Sequence, residues 1–167
     1  MEYSFIEMIG LILVLGFVAF FIISMYLKNT KGNYKADVFS ERKKAALPVK
    51  LQAYERMILF CERINPIKLL VRVKPVDSTS DGYLQLILKS IEQEFEHNLA
   101  QQLYLSDECW NVIITSKTAT INKLKQVADT CESAQDVREK MMLEYQNTVP
   151  PTETAIAFIK SEVKKII

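Results

Sequence analysis

The chain has 167 residues, 49% of them hydrophobic and 25% charged, and a formal net charge of +1. Its length leaves room for one modest domain beside any anchor, and its three cysteines, odd in number and without a C-x-x-C spacing, argue against a disulfide scaffold or a zinc site. The charge is unevenly spread. Residues 1–27 carry two acids and no base, residues 28–50 seven bases and two acids, and residues 51–167 fourteen bases and sixteen acids. A mildly acidic bulk lacks the basic face that nucleic acid demands, so no nucleic-acid partner is expected.

From Met8 to Leu27 the chain carries no charge. Twenty helical residues span about 30 Å, the thickness of a bilayer's hydrocarbon core. Residues 1–27 therefore read as one transmembrane anchor. A secretory signal peptide would need a basic start and a small-residue cleavage site. Here Glu2 and Glu7 precede the first base, Lys28, and no A-x-A-like triplet closes the run. Ser4 and Glu7 form a capping box at the helix start. Tyr3 and Phe5 suit one interface, Tyr26 and Tyr34 the other. Gly10 and Gly16 are six apart, so there is no G-x-x-x-G face.

Residues 28–47 read as a basic juxtamembrane linker, with Gly32 and Asn33 breaking the helix. Lys28, Lys31, Lys35, Arg42, Lys43 and Lys44 are candidate contacts for anionic lipid headgroups. The basic flank places the N-terminus outside and the bulk of the chain in the cytoplasm. The cysteines, each on an apolar helical face, fit that reducing compartment as small core residues.

Residues 48–167 read as a helical bundle. Pro48 opens a helix carrying Leu51, Tyr54, Ile58, Cys61 and Ile64 at helical spacing, and Asn65-Pro66 ends it. Ile67–Val73 is a short apolar run, either a helical turn or two or a brief strand. Lys74–Gly82 is rich in turn formers. A helix follows over 83–104, with an apolar stripe of Leu84, Leu88, Ile91, Phe95, Leu99 and Leu103. Ser106 or Asp107 caps the next, which bears Trp110, Ile113, Ile114, Ile121, Leu124, Val127 and Ala128. Ser133 and Asp136 start another, with Val137, Met141 and Tyr145, and Val149-Pro150-Pro151 stops it. The last helix carries Ile156, Ile159, Val163 and Ile166, and is free to pack on the bundle, a partner or the bilayer. No alternating run argues for a sheet, so the fold class is all-α: one N-terminal transmembrane helix and a small cytoplasmic bundle.

The best enzyme-like string is Glu94-Phe95-Glu96-His97. An E-x-x-H pair is half of a di-iron carboxylate site, and the chain's one histidine leaves the second half unsupplied. One histidine also removes most Ser-His-Asp and Cys-His schemes. There is no glycine-rich phosphate loop. No catalytic residue, metal or cofactor is expected. A protein surface is the better expectation, with Tyr54, Arg56, Asn98, Gln101, Gln102 and Trp110 as candidate contacts. Asn98, Gln101 and Gln102 also suit a helix junction, where they would bond backbone.

The strings L-Q-A-Y-E-R (51–56) and C-E-R-I-N-P (61–66), followed by Glu94 to Trp110, resemble an uncharacterised family of small membrane-anchored proteins of bacteroidete bacteria. The resemblance covers the chain from the anchor to about Ile121. It implies a bacterial inner-membrane location and carries no activity, cofactor or catalytic residue. Together these readings predict a non-enzymatic accessory or scaffold subunit of a larger inner-membrane complex, with other inner-membrane proteins and anionic lipid as partners, and with self-association possible. The alternative is a self-associating, anionic-lipid-binding membrane organiser, acting through its basic segment and last helix.

Overall fold

A computed structural model describes residues 5–167, with the backbone alone for 5–7 and 28–40. Its elements are α1 (Phe5–Ile64), α2 (Pro66–Arg72), α3 (Ser80–Asn98), the 3₁₀ helix η1 (Leu99–Tyr104), α4 (Asp107–Ala128), α5 (Ala134–Glu144) and α6 (Pro151–Ile166). Among the described residues the single β-type contact is an isolated bridge between Thr79 and Ser133. The chain forms two compact units, Met1–Leu47 and Pro48–Ile167.

The first unit contains the apolar stretch Met8–Leu27, which is long and apolar enough to cross a membrane. None of it is buried within the protein, as a lipid-facing helix requires. The capping residue Ser4 lies outside the described residues. Beyond Leu27 the structure departs from the linker expectation. The backbone stays helical across Gly32 and Asn33, and Pro48 lies inside α1 instead of opening a new helix. One glycine costs a helix only about 1 kcal/mol relative to alanine, and the lysines, glutamate and alanines around it favour the helical state.

The second unit is a bundle with one core. Asn65 ends α1 and caps α2, its side-chain oxygen accepting from the Ile67 and Lys68 amides. The Asn-Pro pair thus both stops one helix and starts the next. The apolar run after it is helical, with Leu69 and Leu70 in the core. Thr79 caps α3 by accepting from the Gly82 amide, so α3 begins at Ser80, three residues before Tyr83. Ser106 caps α4, and Ser133 with Asp136 forms a reciprocal capping box on α5.

The core draws on every α-helix of this unit: Met57, Phe60 and Ile64 of α1, Leu69 and Leu70 of α2, Ile87 and Ile91 of α3, Ile113 and Leu124 of α4, Val137 and Met141 of α5, and Ala155 and Ile159 of α6. The last helix packs its apolar side on α4. Small side chains line this contact, Ser116 and Ala119 of α4 sharing a cleft with Thr154 and Ala155 of α6. The hydroxyls of Ser116 and Thr120 have no hydrogen-bond partner among the described residues.

The largest departure lies at residues 99–104. The α3 stripe was expected to continue through Leu99 and Leu103, but the chain tightens there into η1, none of whose residues is buried. A 3₁₀ turn advances 120° per residue instead of 100°, which rotates these side chains off the buried face. Leu103 is 78% exposed.

Candidate functional site

Tyr54 belongs to the interior and Trp110 to its edge. Tyr54 is 1% exposed, and its hydroxyl donates to Glu162 Oε2 at 3.2 Å. Ser106, the α4 cap, donates to the same oxygen at 2.5 Å. One carboxylate of α6 therefore ties α1 to the start of α4. Burial, followed by the Glu162 charge, pushes the Tyr54 phenol up to about 12. Trp110 is half-buried and stacks on Phe95 with ring centroids 5.8 Å apart. Phe95 in turn meets Phe60 at 6.0 Å, and Lys117 sits over the Phe95 ring, 3.9 Å from its centre. Tyr54 is thus not a presented contact, whereas Trp110 packs on Phe95 and keeps part of its surface exposed.

Arg56, which is exposed, and Asn98, which is buried, line the same groove. Residues 56, 59, 60 and 63 follow the i, i+3, i+4, i+7 spacing of one helical face, as do Glu94, His97 and Asn98 at i, i+3, i+4. These two faces of α1 and α3 line a groove of about 460 Å³. Leu59, 56% exposed, supplies apolar surface, with the buried Phe60 behind it. Glu94 Oε1 accepts from Arg63 Nε and from Arg72 Nη1, each at 2.9 Å, and is only 17% exposed. A second nitrogen of Arg72 donates to the Arg63 carbonyl, closing a small network. His97 Nδ1 lies 2.6 Å from the Gln93 carbonyl oxygen, which accepts its proton. The two members of the E-x-x-H pair are thus engaged separately, Glu94 by two guanidinium groups and His97 by its own helix. Asn98 is buried and donates to the Glu94 carbonyl at 2.8 Å, holding the end of α3 where η1 begins.

Gln101 is half-buried and Gln102 exposed, on the turn that leaves this rim. Of the basic segment, Arg42, Lys43 and Lys44 are exposed, while the side chains of Lys28, Lys31 and Lys35 lie outside the described residues. Cys61 and Cys109 are core residues and Cys131 is half-buried. Burial pushes the Cys61 thiol up to about 12 and the Cys109 thiol to about 11. These are inert thiols by the criterion that the thiolate is the reactive form.

Four side chains that shape the site escaped sequence reading: Leu59, Arg63, Arg72 and Glu162. For Leu59 and Arg63 a signal existed, since both share a helical face with Arg56. Arg138 was missed too; it donates to the Leu70 carbonyl at 2.7 Å and to the Tyr83 hydroxyl at 3.3 Å, joining α5 to α2 and α3.

No curated protein and no solved structure matches the chain. A family model does, over residues 3–166, and so includes the last forty residues that the sequence resemblance left out. The chain belongs to that family, DUF7935, a family of unknown function.

Proposed function

We propose that this protein is a non-enzymatic accessory or scaffold subunit of a larger bacterial inner-membrane complex. Met8–Leu27 anchors it with the N-terminus outside, the basic segment after it meets anionic lipid, and the bundle is displayed in the cytoplasm. The observation that carries the reading is the surface of α1, α3 and η1. Leu59 is exposed in a groove lined by two arginines, and Leu99, Leu103 and Tyr104 are exposed on η1, which follows the groove residue Asn98. Large apolar side chains grouped with a polar rim are characteristic of protein contacts. Tethering raises the effective concentration of such a surface near a membrane partner, so even a weak interface suffices.

The test is extraction of the natively tagged protein in a mild detergent, with mass spectrometry of stoichiometric companions. A reproducible membrane assembly is the expected result. Recovery of the protein alone, as monomer or homo-oligomer, refutes the reading and favours the self-associating, lipid-binding organiser. The exposed Arg42, Lys43 and Lys44 support that second reading. Against it, the apolar side of α6, which a bilayer would have to receive, is already occupied by α4.

A further inference from the structure

We infer that the groove between α1 and α3 docks an acidic, amphipathic helix of a partner protein. The inference rests on the accessory-subunit reading and specifies the chemistry of its partner. Two arginines and one carboxylate line the groove: Glu94 is shared by Arg63 and by Arg72 of α2, and Arg56 has no ion pair among the described residues. The groove therefore keeps net positive charge, centred on an exposed guanidinium whose planar fork suits a carboxylate.

Apolar surface lies beside that charge. Leu59 is exposed in the groove, and η1 follows the groove residue Asn98 carrying Leu99, Leu103 and Tyr104, all exposed. Six residues of 3₁₀ helix extend about 12 Å, two turns of an α-helix laid alongside. An amphipathic helix with a carboxylate at one position and aliphatic side chains three and four residues on satisfies both features in a single docking. A lipid headgroup needs only the cations and leaves the η1 ridge in water.

The test places the photo-crosslinker p-benzoylphenylalanine at position 59 of the full chain in its native membrane, with mass spectrometry of the crosslinked peptide. Position 126, exposed on α4, is the control. The expected product is one protein segment that carries Asp or Glu at helical spacing from apolar residues. Arg56→Glu should lower its yield about tenfold, as loss of an interfacial charge pair does. Replacing the crosslinked segment's acid by Arg should restore the yield. Leu103→Asp is a second, independent disruption. Crosslinks to lipid, a yield no higher than at position 126, or a yield unaffected by Arg56→Glu would each overturn the inference. Recovery of a stoichiometric complex with any of those results sinks the groove and spares the accessory reading, whereas recovery of the protein alone sinks the accessory reading first.

Discussion

Glu162 offers the sharpest test of how the bundle is held. Its carboxylate, 12% exposed, accepts from the Tyr54 and Ser106 hydroxyls. Truncation in Glu162→Ala leaves both donors without that acceptor. Hydrogen bonds to an ionised group contribute about 1.5–3 kcal/mol each, and Ser106, being only half-buried, recovers part of its loss from water. The expected cost is about 3 kcal/mol. Glu162→Gln keeps an acceptor without the charge and should cost about 1 kcal/mol. Tyr54→Phe removes one donor and should also cost about 1 kcal/mol, with Glu162→Ala and Tyr54→Phe together costing less than their sum. The assay is urea unfolding of the full chain in nanodiscs, followed by fluorescence of Trp110, the chain's one tryptophan. With a slope of about 1.5 kcal/mol per molar urea, Glu162→Ala should lower the midpoint by about 2 M. A shift below about 0.3 M, or strict additivity with Tyr54→Phe, would show that the carboxylate does not join the two helices.

Ile91 and Leu103 lie on one sequence-level stripe but should respond differently: Ile91→Ala, wholly buried, is expected to cost about 2–5 kcal/mol, and Leu103→Ser no more than about 0.5, read as denaturation midpoints. Equal losses would mean that η1 packs as a continuation of α3. Thr120→Val replaces a buried hydroxyl that has no partner among the described residues by a methyl group, and should raise stability by about 1 kcal/mol in the same assay; a loss would reveal a partner for that hydroxyl. The thiols of Cys61 and Cys109 are pushed from an ordinary 9.0 to about 12 and about 11. The folded state therefore holds these protons more tightly than the unfolded state. The stability this provides is complete below about pH 9 and declines as pH rises through 11 and 12. Replacing both cysteines by alanine should flatten this alkaline decline in unfolding midpoints measured from pH 8 to about pH 10.5.

Much of the helical layout was legible because its causes are local. Asn65-Pro66, Ser106 and the Ser133–Asp136 pair satisfy amide groups within a few residues of themselves, so their signals lie in short strings. The apolar run Met8–Leu27 follows from composition and length alone. The helix across Gly32 and Asn33 was not legible, because a lone weak helix former is outweighed by its neighbours, and that balance is a sum over a window.

The candidate site was legible only in fragments. Arg56 and Asn98 were singled out, but their meeting required Phe60 and Phe95 to set the spacing of α1 and α3. Glu162 stands 108 residues from Tyr54, and no pattern in either segment marks the bond between them. The amphipathic stripe of α6 reads the same whether it faces a bundle, a partner or a bilayer; in the structure it packs on α4, with Ala155, Ile156 and Ile159 buried. The exposure of Leu99 and Leu103 depends likewise on the chain tightening into η1 after Asn98. The sequence by itself determined where helices start, which faces are apolar and which stretch suits a membrane, because capping and hydropathy act over one or two turns. Only the tertiary structure decided which apolar faces meet and which charges share a groove, because those depend on the shapes of two surfaces at once.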